Sequence, residues 1–342
     1  MVLAMRLLVW RLVVGCLAMV ATVPYLAMKV SWVTGGSIGM NDPAYFDTRT
    51  YQIGNLVTIG MDAVAVAVAA ALTFRWGRRI PAWLVLFPIW VATGFLAPIA
   101  VLTLLPSASS SDTTQAVEPL ANWVFTLVYA GFAVQGVLLM TAFVLAAVTR
   151  WPSVFRQRLA TAPRSTAQTL LLLLTAAGAL LATVVAGLQW AWAFGVQTGL
   201  PDQLLKDDNV AARLSYFGGY GVFTLTGIVG VILLVVRKPA GTRLWIPLAA
   251  TWLGSSAMFA WGSWQLATMT AQAELAAPGY QLITFLQVLA GVLMAIVAAF
   301  VMNERIGAAA HPSSTSTAAW SDGQTPSTGA SATSTADLMQ PS

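Results

Sequence analysis

A chain of 342 residues that is 58% hydrophobic and only 8% charged cannot clothe a water-facing surface in polar groups, so lipid must cover much of it; soluble domains carry about 25% charged residues. The formal net charge of +5 therefore bears on membrane orientation and gives no reason to expect nucleic acid as a partner. With Cys16 the one cysteine and His311 the one histidine, an intrachain disulfide and a zinc site of Cys and His ligands are both excluded, and no cofactor is expected.

A helical span needs about 20 mainly apolar residues. Eight segments meet this, at roughly 7–28, 53–74, 82–105, 120–148, 168–194, 215–236, 244–268 and 281–302. The predicted fold is an all-α, polytopic integral membrane protein with eight transmembrane helices. Within the first segment, Val13-Val14-Gly15-Cys16 has the form of a lipoprotein cleavage box, but Arg11 interrupts the apolar stretch, so an uncleaved first helix is expected. The first outer loop, about 29–52, contains three glycines between Thr34 and Gly39. It lacks the Lys-Ser or Lys-Thr of a phosphate loop. Its Tyr45, Phe46 and Tyr51 are expected to rest on the interface.

The second segment carries Asn55 and then Asp62, an acid near the bilayer midplane. Such a carboxylate is costly, faces protein or water, and marks a functional site by default. Asp62 is either a proton, cation or cationic-substrate site, or an acid that locks helices together, with Arg11 as a candidate partner unless that side chain snorkels. Gln135 in the fourth segment, Gln189 in the fifth and Gln287 in the eighth are further amides, suited to interhelical hydrogen bonds or to lining a path. Small residues (Thr93-Gly94, Ser255-Ser256, and Gly218, Gly219, Gly221, Gly227 and Gly230 of the sixth segment) allow close backbone approach. Trp90 and Trp252 lie too deep for an interfacial belt and are expected to pack at the centre of each half.

Basic residues orient the chain. Arg6, Arg11, Arg75, Arg78, Arg79, Arg150, Arg156, Arg158, Arg164, Arg237, Lys238, Arg243 and Arg305 fall on one side, leaving Lys29, Arg49, Lys206 and Arg213 on the other. By the positive-inside rule the first set, and both termini, are cytoplasmic. Asp42, Asp47, Asp112, Glu118, Asp202, Asp207, Asp208 and Glu274 fall on the opposite side. Trp76, Trp83, Trp151 and Trp245 mark the inner boundary, and Trp32, Trp123, Trp190, Trp192, Trp261 and Trp264 the outer one.

The two halves match under a nearly constant shift. At 162 positions Trp90 falls on Trp252, Arg75 on Arg237 and Asp62 on Thr224. Near 160, Lys29 to Trp32 meets Gln189 to Trp192, and at 154 Leu138-Leu139-Met140 meets Val292-Leu293-Met294. This predicts a parallel 4+4 repeat: a first transmembrane set at 1–148, a basic cytoplasmic linker at 149–167 on the inner leaflet, a second set at 168–305, and a disordered cytoplasmic tail at 306–342 rich in Ser, Thr, Ala, Gly and Pro. Because Asp62 matches Thr224, an acid site belongs to the first half alone.

Lys29-x-x-Trp32-x-x-Gly35-Gly36-x-x-Gly39, Trp76-Gly77-x-x-x-Pro81 and Gly94-Phe95-Leu96-Ala97-Pro98 resemble polytopic membrane proteins of high-GC Gram-positive bacteria that have no assigned activity. The resemblance covers roughly the first hundred residues. It implies a bacterial plasma membrane and supplies no catalytic residue. The candidate intramembrane polar site is then Asp62, Arg11, Asn55, Gln135 and Thr224. Three classes of function compete. The first is a transporter or permease-like protein for a small molecule or ion. The second is a non-catalytic scaffold or partner subunit of an envelope complex. The third and least supported is a membrane-embedded enzyme, because no His and one lone acid occupy the spans. A polar cavity between the halves reaching Asp62 would favour the first, and a dry, packed interface the second.

Overall fold

In lipid a backbone must satisfy its own polar groups within the segment, which leaves a long apolar run little choice but to be helical. The computed structural model describes residues 2–44, 48–103, 120–159, 167–205, 210–272 and 275–310. Among these the chain is helices and turns, with only two isolated β-bridges. The long helices are α1 (Val2–Val33), α2 (Arg49–Thr73), α3 (Ala82–Leu102), α4 (Asn122–Arg150), α6 (Gln168–Ala193), α9 (Gly219–Val236), α10 (Trp245–Ala271) and α11 (Pro278–Ala310). Three short helices sit between them: α5 (Pro152–Arg156), α7 (Asp202–Leu205) and α8 (Val210–Arg213). A π-helical turn at Leu214–Gly218 links α8 to α9, so one apolar stretch runs from Val210 to Val236.

Seven of these helices are long and apolar enough to cross a membrane among the described residues; α10 is the long helix outside that set. At 27 residues α10 is about 40 Å long at 1.5 Å per residue, so length is not what it lacks. Its surroundings explain its polarity. It packs against α9, α11 and α3, and Thr251, Gly254, Ser255, Ser256 and Gly262 are buried within it. A helix enclosed by other helices needs fewer apolar side chains than one bathed in lipid.

Helix neighbours form two sets. α1 packs on α2 and α4, and α3 on α4 and α2; α6 packs on α9 and α11, and α10 on α9 and α11. The main contact between the sets is α3 on α10. Small residues bring these backbones together. A Cβ on Gly94 would strike the Ser256 carbonyl of α10, and one on Gly254 would strike the backbone of Gly227 in α9. A Cβ on Gly230 would lie 2.5 Å from the Thr251 nitrogen. The small-residue positions thus serve close packing. Trp90 and Trp252 fill this contact rather than the centre of each set. The Trp90 indole N–H donates to Ser255 Oγ at 3.1 Å and its ring lies 4.9 Å from that of Phe259. Trp252 stacks on Phe143 at 5.2 Å.

The turns after α1 and α6 share their hydrogen bonds. The Trp32 indole donates to the Ile38 carbonyl at 2.8 Å, and the Trp192 indole to the Thr198 carbonyl at 3.0 Å. Gly35 and Gly39 have φ of 90° and 72°, and Gly195 and Gly199 have 97° and 84°, a region that favours glycine. A Cβ on Gly39 would strike Val124 and Trp123 at the start of α4, and one on Gly279 at the start of α11 would meet the Gly199 backbone.

The basic linker is docked where it is described. Val154 and Leu159 enter the core of the second set. Leu159 N–H donates to the Thr242 carbonyl, Leu244 N–H donates to the Gln157 carbonyl, and the buried Arg305 guanidinium donates to the carbonyls of Arg158 and Leu159 at 3.3 and 3.0 Å. Residues 160–166, the loop positions Tyr45 and Phe46, and the tail from 311, His311 included, lie outside the described residues.

Candidate functional site

The site begins with the length of α1. It runs to Val33, so Lys29 lies inside the helix and is buried, and not in the outer loop where a span ending at 28 would leave it. Tyr25, Lys29 and Trp32 are spaced four and three residues apart, which puts them on one face. The Lys29 ammonium sits 5.1 Å from the ring centroids of both Tyr25 and Trp32 and donates to Asn55 Oδ1 of α2 at 2.7 Å. Two aromatic faces and an amide oxygen thus replace part of the water that a buried ammonium gives up.

This face borders a cavity of about 360 Å³ walled mainly by the first helix set. Tyr25, Lys29 and Trp32 of α1, Thr58 and Asp62 of α2, Phe95 of α3, Tyr129, Phe132 and Gln135 of α4, and Trp261 and Trp264 of α10 line it. Asp62 lies midway along α2 and is 6% exposed, with its Oδ2 buried and without a hydrogen-bond partner. Lys29 and Asp62 line the same cavity with opposite charges. A buried carboxylate oxygen with nothing to accept from is an expensive arrangement. A second cavity of about 280 Å³ lies toward the turn after α1, lined by Trp32, Gly36, Gln52 and Asn55. Trp32 borders both cavities, and the Lys29–Asn55 bond joins a wall of one to a wall of the other.

Of the residues singled out from sequence, Asp62 and Gln135 share the main cavity, and Asn55 holds its lysine. Arg11 is elsewhere. It stands 18 residues before Lys29 on α1, about 27 Å along the axis, and borders a separate cavity with Arg78 and Arg150. Thr224 belongs to the second set. It donates to Gln189 Oε1 at 2.9 Å, Gln189 Nε2 donates to Gln287 Oε1 at 3.2 Å, and Gln287 Nε2 donates to the Met258 carbonyl at 3.3 Å. That neutral relay ties α9, α6, α11 and α10 together. Beside the turn after α6 Trp192 packs with Phe217 and Tyr280, so Trp192 is an interior residue and not a belt anchor. Trp261 and Trp264, too, face the cavity.

Sequence reasoning missed Lys29 and Tyr25. The signal was the Tyr25-x-x-x-Lys29-x-x-Trp32 stripe, which places a cation between two aromatic rings on one helix face. Among the described residues no group of three or more His, Cys, Asp or Glu could hold a metal ion. What the cavity can do is hold a small molecule that presents a cation or N–H donor to Asp62 and an apolar body to the aromatic walls. Comparison with protein-family models, with curated proteins and with solved structures returns no match, so this geometry stands as the description of the site.

Proposed function

We propose that this chain is a multi-pass protein of a bacterial plasma membrane, with eight crossings and cytoplasmic termini, whose first helix set binds a small organic cation in a permease-like site. The observation that carries this reading is the buried, unpartnered Oδ2 of Asp62 on the wall of a cavity with aromatic walls. A carboxylate so placed gains most from an ammonium that brings its own hydrogen-bond donors. The apolar share of the lining favours an amine with a hydrophobic body over a hydrated metal ion.

The parallel 4+4 repeat is part of the proposal. The paired glycine turns and indole bonds after α1 and α6 support it, as do the matching neighbour relations of the two sets. Its eighth crossing is α10, whose modest apolarity fits a helix enclosed by three others. The cavity is walled mainly by the first set, with Trp261 and Trp264 of α10 closing one side, whereas the α3–α10 contact at Gly94 and Ser256 is closely packed. Opening and closing of the site is therefore assigned to movement of α1 and α2 and not to rocking of one set against the other. That packed contact also favours a second reading, a rigid scaffold or partner subunit of an envelope complex.

Titration of the purified protein with phenethylamine separates the two, read as a change in tryptophan fluorescence because Trp32, Trp261 and Trp264 line the cavity. A saturable change that Asp62→Asn weakens roughly tenfold or more, the scale of a lost charged hydrogen bond, is expected. An absent response, or one unaltered in Asp62→Asn, overturns the binding-site reading and leaves the scaffold.

A further inference from the structure

At the arginine-rich end of the first helix set, a cavity of about 220 Å³ is bordered by Arg11 from α1, Arg78 from the 3-10 turn after α2, and Arg150 from the end of α4. No carboxylate is among the described residues that line it. Arg11 is only 5% exposed, and its Nε is buried with no hydrogen-bond partner. It feels the like charge of Arg78. Snorkelling alone does not account for it, since a snorkelling arginine carries its head to water, and here Nε stays buried. Arg150 is held in place by a hydrogen bond from Nη2 to the Ile80 carbonyl at 3.2 Å and by stacking over Trp151 at 5.1 Å. The negative end of the α4 dipole suits Arg150, but it leaves Arg11 and Arg78 facing each other without a counter-charge among the described residues of the lining.

Three guanidinium groups around one recess, one of them buried with a donor to spare, make a receptor for a tetrahedral oxyanion. Arginine forks match phosphate oxygens two at a time, and burial strengthens each contact. The rim is apolar: Phe74, Leu86, Phe143 and Trp151 share the lining with the arginines. An ion whose charge is taken by arginines and whose remainder lies against apolar side chains is an amphiphile.

We propose that Arg11, Arg78 and Arg150 form a binding site for a phosphate group, carried by an anionic phospholipid headgroup from the adjoining leaflet. Neutralising the three arginines fastens α1, the turn after α2 and the end of α4 to one another, so the bound lipid stabilises the first helix set. The site is independent of the Asp62 cavity and stands or falls apart from it.

The test uses the full chain, purified in detergent and stripped of lipid, with thermal unfolding as the readout. Phosphatidylglycerol, phosphatidylcholine and inorganic phosphate are each titrated, with sodium chloride matched for ionic strength. A ligand bound to the folded state alone raises the melting temperature in a saturable way. Phosphatidylglycerol is expected to do so, with roughly tenfold weaker apparent affinity in Arg11→Gln and in the exposed, fold-tolerant Arg78→Gln. Arg243→Gln, outside the cavity, should match the parent. An equal, arginine-dependent response to inorganic phosphate would keep the oxyanion site and assign it to the free ion. A response to phosphatidylcholine equal to that of phosphatidylglycerol, or a shift that Arg78→Gln leaves intact, overturns the proposal.

Discussion

Lys29 and Asp62 are the two charged side chains among the described residues that line the main cavity, and under the proposed repeat they correspond to Gln189 and Thr224, which hydrogen-bond one another in the second set. One half holds two charges beside a void, and the other holds a buried neutral pair joined by a hydrogen bond. Lys29→Gln alone removes the cation that Asp62 feels, and Asp62→Thr alone leaves a buried ammonium with no opposite charge. Each single change is expected to cost about 1–3 kcal/mol, the scale of an uncompensated buried polar group. Lys29→Gln combined with Asp62→Thr should recover most of that loss in thermal unfolding while abolishing amine binding. Additive losses in the double variant would refute the correspondence. Asp62 was legible in the sequence because a lone acid in an apolar run has little else to be. Lys29 was not, because the apolar run fades at residue 28 while the helix continues to Val33. A hydropathy boundary records where side chains turn polar, and the backbone obeys its own hydrogen bonds.

The helices pack through positions where a side chain would not fit. Gly254→Ala pushes a methyl group into the backbone of Gly227, and helices that meet backbone to backbone have no rotamer to adjust. A destabilisation of about 1–3 kcal/mol is expected, as for overpacking elsewhere. At Gly131 and Gly187 an added methyl group would have no neighbour within 4 Å, so Gly131→Ala and Gly187→Ala should be neutral or slightly stabilising. Thermal unfolding of the purified variants checks the contrast, and equal effects at Gly254 and Gly131 would remove the packing argument. The sequence announced these glycines but not their partners. Composition places small residues on a helix, whereas the pairing of Gly94 with Ser256 needs the neighbour. Tryptophans show the same limit. Trp76 and Trp83 are exposed at the arginine-rich end as a belt requires, yet Trp192 and Trp261, at belt depth, turn inward. Depth along a helix is readable from sequence, and the direction a side chain takes around it depends on what packs there.

For the whole molecule, the distribution of arginines predicts which turns share a side. In a Cys16→Ser background, single cysteines at Ser37, Gln197 and Gln272 should react with an impermeant maleimide added outside intact cells, and cysteines at Arg79 and Gly241 should react only after lysis. Gly241 and Gln272 bracket α10, so labelling of both from one side would mean that this helix does not cross. The count of long helices was legible because each is an unbroken apolar or half-apolar run. The docking of 157–159 against 242–244 was not, since a basic, proline-containing stretch looks alike whether it lies on lipid or on protein.

The enclosure of α10 also bears on how the chain is made. Under the proposed eight crossings, a segment that falls outside the set of clearly membrane-spanning helices, as α10 does, would be a passenger that enters the bilayer once α9 and α11 offer it a seat. A change that loosens the α9–α10 seam, such as Gly227→Leu, should then leave Gln272 unlabelled from outside in a fraction of molecules. The eighth crossing would on this account be inherited from the assembled neighbours, and a lesion in α9 would be felt first as a fault of topology during synthesis.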